Sequence, residues 1–236
     1  MITSLTDLLK KHPDFSPVIV SKKPYRLLDF SGTNQNLLQA DLSDTTVFTK
    51  YVFEEMLSNS SYNGIGGYGE HRVIYRKLEH FVRQEEEPRC IHLGVDIWAQ
   101  AGEAIYAPLK GKVHSFAFNN NTGDYGPTII LEHEIDGTKF YTLYGHLSLN
   151  SITYLTIGKT FKPGEKIGEI GSYPTNGDWP PHLHFQIIAD MGAYKGDFPG
   201  VCSISDRSFY LSACPDPNMI LRFVTKASCP NDRQVN

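Results

Sequence analysis

The chain has no run of lysines or arginines, and its 22 Lys and Arg against 26 Asp and Glu leave a formal charge of -4. Without a basic cluster there is no electrostatic reason to expect nucleic acid or an anionic membrane as a partner. No stretch approaches the ~20 consecutive apolar residues that a bilayer-crossing helix needs, so no membrane span is expected. The segment Met1 to His12 lacks a basic start, an unbroken apolar core and a small-residue cleavage site, so it does not read as a signal peptide. The expected location is therefore cytoplasmic; the alternative is periplasmic or secreted, through an upstream start or a non-standard export route. Cysteine is scarce: Cys90, Cys202, Cys214 and Cys229 show no C-x-x-C spacing, which excludes a zinc ribbon or a thioredoxin-like redox motif. Free thiols in a reducing compartment are expected, while a bridge among the last three stays open for an exported protein. There is also no H-E-x-x-H, which excludes the helical zinc peptidase with a glutamate base.

At 236 residues and 40% hydrophobic content, the chain is long enough to bury a full core. Leu5, Leu8 and Leu9 recur at helical spacing behind Thr3 or Ser4 as the cap, and Phe48, Tyr51, Val52 and Met56 do the same between Thr46 and Leu57. Ser58 to Gly69 is rich in Ser, Asn and Gly and reads as a loop. Beyond it the pattern becomes strand-like almost to residue 190. The clearest unit there runs from Thr128 through Asp136-Gly137 to Tyr144, a hairpin whose Asp-Gly pair supplies the positive φ angles of a type I′ turn. Its register sets Glu134 opposite Lys139 as a cross-strand charge pair. Further strands are expected at Ala104 to Tyr106, Lys112 to Phe118 and Lys166 to Ile170, each bounded by Gly or Pro. The fold class is thus mainly β, an antiparallel sandwich or barrel with a partly helical N-terminal appendage. Residues 1–63 are read as that appendage, 64–190 as the main domain and 191–236 as a loop-rich C-terminal extension.

Two short segments concentrate metal-binding side chains: His92 and Asp96 in Ile91-His-Leu-Gly-Val-Asp-Ile97, and His182 and His184 in Pro181-His-Leu-His-Phe185. In extended backbone, residues two or four apart share a face, so each pair points one way. Zinc takes imidazole nitrogen and carboxylate oxygen, and a catalytic site has three protein ligands plus an open position. Three of these four residues suffice. A further histidine, His146, follows the hairpin's return strand directly.

The motifs His92-Leu-Gly-Val-Asp96, Tyr144-Gly-His146-Leu-Ser148 and His182-Leu-His184, in that order, resemble those of the lysostaphin/LytM-type zinc metallopeptidases. The stretches Gly102 to Pro108, Gly111-Lys-Val113, Tyr125-Gly126 and Pro163 to Gly168 extend the resemblance, which covers residues 67 to 190 or so. It implies a duplicated-hybrid-motif β domain, Zn2+ as cofactor, His92, Asp96 and His184 as its ligands, and His146 and His182 as the catalytic pair. It also implies hydrolysis of peptide bonds in peptidoglycan cross-links or related short peptides, the latter including non-cell-wall cytosolic substrates. The chain departs from relatives in two places. About twenty residues, including Glu85 to Glu87, separate Gly67-Tyr-Gly-Glu-His-Arg72 from the first ligand motif, and the loop Ser172 to Pro181 is rich in proline and carries Trp179, a possible substrate contact. A divergent branch, sometimes fused to kinase-like and aminotransferase-like modules, is similar in its tail.

Competing expectations are a non-catalytic regulatory module on the same fold and a carrier domain that transfers phosphoryl groups through a histidine. In another, the N-terminal appendage inhibits the site, with Asn63 as an added ligand. His12, His71, His80, His114 and His133 match no ligand position and are expected to serve structure or face solvent.

Overall fold

The computed structural model describes residues 4–39, 41–77 and 87–223. Cys229, His80, Glu85 and Glu86 lie outside the described residues. The first expected helix forms over Leu5–Lys11, with the Ser4 side chain accepting from the Asp7 amide. The second begins as an α-helix over Thr45–Lys50, capped by Asp44, and widens into a π-helix over Tyr51–Met56. Its apolar face buries Phe48, Tyr51, Val52 and Phe53.

Twelve strands are described: β1 (Tyr25–Leu28), β2 (Asn63–Gly66), β3 (Ile91–His92), β4 (Val95–Trp98), β5 (Ala104–Tyr106), β6 (Gly111–Asn119), β7 (Gly126–Ile135), β8 (Thr138–Gly145), β9 (Thr160–Phe161), β10 (Lys166–Glu169), β11 (His182–Ile188) and β12 (Val201–Cys202). Eight of them make one sheet in the order β1-β2-β4-β11-β8-β7-β6-β9, antiparallel except for β1 beside β2. The other four form two ribbons, β10 with β5 and β12 with β3. The sheet stays open, with β1 and the two-residue β9 at its edges, so the chain is mainly β around a large antiparallel sheet, as expected, and barrel closure is not reached.

The Asp136-Gly137 turn has φ of 49° and 76°, as a type I′ turn requires, and it sets Glu134 opposite Lys139. Lys139 nevertheless pairs diagonally with Glu132, at 3.3 Å, where Lys112 from the neighbouring strand adds a second cation at 3.1 Å.

Part of the loop expected over residues 58–69 is strand. Asn63–Gly66 is fully buried between β1 and β4, where small residues are needed because side chains of both neighbours crowd it: a Cβ on Gly64 would sit 2.6 Å from Leu28 of β1 and 3.0 Å from Trp98 of β4. The N-terminal segment is stitched into the domain by this pairing and by Leu9, Val18 and Ile19, which join the main core beside Ile97, Ile129, Leu131, Phe140 and Phe185. Each such buried side chain contributes roughly 1.5–3 kcal/mol. Among the described residues no helix is long and apolar enough to cross a membrane.

His133 on β7 is a structural histidine: Nδ1 donates to the Lys110 carbonyl at 3.0 Å and Nε2 lies 2.7 Å from the Thr142 hydroxyl. Burial pushes its imidazole from 6.5 down to about 4. Between those values the unfolded chain binds a proton that the folded chain refuses, so this contribution is intact above the unfolded value and is lost as pH falls toward the folded one. The full span is on the order of 3 kcal/mol. We predict that His133→Gln shows a shallower acid loss of stability than wild type in urea melts across this range; parallel curves would contradict the assignment.

Candidate active site

Two adjacent strands of the sheet bring the site together. β11 pairs antiparallel with β4 so that His184 lies opposite Asp96 and His182 opposite Trp98. The two histidines share a face of β11, as their spacing predicts. His92 and Asp96 do not share one continuous strand, contrary to expectation. The chain breaks at Leu93-Gly94, with β3 turning aside to pair with β12 and β4 entering the main sheet. Gly94 permits this because a Cβ there would meet the His184 ring at 2.6 Å.

Three ligand atoms converge at the break. His92 Nε2 lies 3.0 Å from His184 Nδ1, and Asp96 Oδ1 lies 3.2 Å from the first and 3.0 Å from the second. All three residues are buried. The far nitrogen of each ring decides its tautomer. His92 Nδ1 donates to the Gly67 carbonyl at 2.9 Å. His184 Nε2 donates to Gln186 Oε1 at 2.9 Å, and the Gln186 amide is itself oriented by donating to the Pro199 carbonyl and to Cys214 Sγ. With those protons committed outward, both inward nitrogens carry lone pairs.

Electrostatics keep His92 and Asp96 in their acceptor forms. Burial, reinforced by the Arg72 cation, pushes His92 down to about 4, so its ring is neutral at physiological pH. Burial alone would raise Asp96, but His92 and Arg72 hold its carboxyl well below the usual range. Arg72 is buried and contacts Asp96 Oδ2 at 2.5 Å, while its Nε contacts Glu70 at 2.8 Å. One Asp96 oxygen is thereby fixed by the guanidinium and the other is turned to the two rings. Two lone-pair nitrogens and a carboxylate oxygen at mutual contact repel unless a cation lies among them. Zinc bonds of ~2.05 Å in a tetrahedron set ligands about 3.3 Å apart, close to the observed spacing. The donor set therefore fits zinc.

His146 and His182 stand beside this group, their ring centroids 4.2 Å apart. Each is fixed in the same tautomer: His146 Nδ1 donates to the Asn176 carbonyl at 2.8 Å and His182 Nδ1 to the Pro180 carbonyl at 2.7 Å. Both Nε2 atoms are left as acceptors. Burial lowers both imidazoles, His182 to about 4 and His146 well below its ordinary value of 6.5. His146 sits just past the end of β8 with φ of 61°, a left-handed conformation that costs a non-glycine residue about 1 kcal/mol or more. The His146 amide bonds the Tyr125 carbonyl at 2.7 Å, which holds the turn.

The proline-rich loop that precedes β11 is organised around buried Asn176, whose Nδ2 donates to the Trp179 carbonyl at 2.9 Å. Trp179 lines the cavity over the site, 6.2 Å by ring centroid from both His146 and His182, and its outer side packs on Phe48. His12, His71, His114, His133 and Asn63 are not among the cavity-lining residues. Sequence reading missed Gln186 and Trp98, both findable as residues two places beyond a ligand on the same strand face. Trp98 stacks on His182 at 4.2 Å and 19°, backed by Phe30. Nothing in the local pattern announced the Arg72–Asp96 pair.

Replacing Gln186 by Leu removes the group that fixes the His184 tautomer. We predict a zinc affinity lower by ~10–100-fold in chelator competition, with the fold retained; an unchanged affinity would contradict the tautomer argument.

Over 115 residues the chain is 30% identical to the L-Ala--D-Glu endopeptidase of Bacillus subtilis (strain 168), an alignment covering 47% of this chain and 33% of that protein. The chain thus spans about a third of the length of this curated relative. Among solved structures, the catalytic domain of lysostaphin from Staphylococcus simulans is 30% identical, with 57% of this chain and 81% of that one covered and a TM-score of 0.39. A zinc-containing peptidase from Vibrio cholerae is 26% identical, with 42% and 27% covered and a TM-score of 0.32. Residues 90–195 match the model of peptidase family M23, and through them the chain belongs to that family.

Proposed function

We propose that the chain is a zinc-dependent endopeptidase that hydrolyses peptide bonds of peptidoglycan-type peptides. The convergence of His92 Nε2, Asp96 Oδ1 and His184 Nδ1 within about 3 Å of one another is the observation that carries this reading. Membership of a peptidase family and the likeness to the L-Ala--D-Glu endopeptidase of Bacillus subtilis support the reaction class.

His92, Asp96 and His184 would hold the metal. When bound, zinc supplies Lewis acidity: it makes water acidic near neutral pH and polarises a peptide carbonyl. The remaining chemistry belongs to His146 and His182. Their Nδ1 protons are committed to the Asn176 and Pro180 carbonyls, so proton traffic passes through Nε2. Burial keeps both rings unprotonated at rest, ready to accept the proton of the attacking water. One Nε2 takes that proton and returns it to the leaving amine. The other Nε2, an acceptor as well, takes a hydrogen bond from the same water and orients it for attack. The aromatic walls, Trp98 and Trp179 among them, exclude bulk water and strengthen each of these contacts.

Replacing either His146 or His182 by Ala lowers turnover of stem peptides by ~10²–10⁴-fold, while zinc content stays that of wild type. Loss of zinc in either variant would move that residue into the ligand set. Undiminished turnover in the double variant would remove the proton-transfer scheme altogether.

A further inference from the structure

Resting on the peptidase reading, we infer a narrower substrate class: the site takes short peptides with free ends, and rejects the same peptide bonds held at both ends within an intact polymer. The reactive side chains stand at the floor of a pit. His92, Asp96, His146, His182 and His184 are each no more than 5% exposed, and the cavity above them measures about 230 Å³. That falls below the ~300–1,000 Å³ of ordinary small-molecule sites and admits a few residues of peptide at most.

The walls that close the pit come from outside residues 90–195, the part that matches the family. On one side Ile74 and Tyr75 line the cavity, and Tyr75 meets the Trp179 ring edge-on at 6.2 Å and 85°. On the other side stand Phe198, Gly200 and Val201. This second wall is fastened by the β3–β12 ribbon, which pairs Val201 with His92, by the Leu93 amide donating to the Gly200 carbonyl at 2.9 Å, and by Glu87 accepting from the Ile204 amide at 3.2 Å and the Ser205 amide at 3.3 Å. Ile74, Tyr75, Trp98, Trp179 and Val201 belong to one continuous buried cluster, so the two walls pack into each other around the site. A bond inside a polymer needs a groove open at both ends, because chain continues in both directions. A free peptide needs only one mouth.

The molecule carries its own reporter. Both of its tryptophans, Trp98 and Trp179, line this cavity, so intrinsic fluorescence reads entry of a ligand without any turnover. The experiment titrates metal-free protein with a free stem tetrapeptide and with the same tetrapeptide coupled at both ends to polyethylene glycol. In parallel, zinc-loaded protein digests free stem peptides and intact sacculi. We expect the free peptide to shift the fluorescence and to be preferred by about tenfold or more in both measurements, since steric exclusion is a repulsive selection. Phe198→Ala, or Val201→Ala if the first variant folds poorly, opens one wall and narrows that ratio. Equal response and equal cleavage for free and tethered forms overturn the inference while leaving the peptidase reading intact. Absence of a fluorescence response to the free peptide overturns it as well. A selective response without cleavage of any peptide keeps the size selection and removes the peptidase reading.

Discussion

The rest of the structure depends on one buried electrostatic constraint: two imidazole lone pairs and a carboxylate oxygen forced within about 3 Å of one another. Such an arrangement is unfavourable by itself, and much of the surrounding chain works to maintain it. Arg72 neutralises the outer oxygen of Asp96 and is held in turn by Glu70. The Gly67 carbonyl and the Gln186 amide draw the ring protons outward. Breaking a buried pair such as Arg72–Asp96 from one side costs roughly 3–5 kcal/mol, because an uncompensated charge is left behind. The same groups that make the site a poor resident of an apolar core make it a ready receptor for a divalent cation.

The proposed catalytic pair obeys the same logic one step outward. His146 and His182 each use a backbone carbonyl to commit one nitrogen, and those carbonyls come from a single loop whose shape rests on Asn176. The helix over Thr45–Lys50 reaches that loop directly, Thr45 Oγ1 donating to the Asp178 carbonyl at 2.8 Å. Through Phe30 and Phe48 the same segment backs the indole rings that face the histidines. The segment before the first ligand is therefore part of the architecture of the cavity, and Asn63, read from the sequence as a candidate inhibitory ligand, is instead a strand residue away from it.

Much of this was legible in the sequence because it is local. The Asp136-Gly137 hairpin, the capped helices and the period-two pairing of His182 with His184 follow from backbone geometry within a few residues. What was not legible is long-range. Asn63–Gly66 reads as a loop because its glycines are poor strand formers, yet they are what allow β2 to lie against Trp98. The break at Gly94 was invisible because its cause is a ring ninety residues further on, that of His184. Lys139 meets Glu132, a diagonal neighbour that Lys112 of a third strand also contacts, rather than its register partner Glu134.

X-ray absorption at the zinc edge of the purified, zinc-loaded protein tests the central claim most directly. The account predicts one zinc per chain, bound by nitrogen and oxygen only at ~2.0–2.2 Å with the scattering pattern of two imidazoles, and lost on Asp96→Ala. Sulfur at ~2.3 Å, or well-folded protein that takes up no zinc, would contradict it.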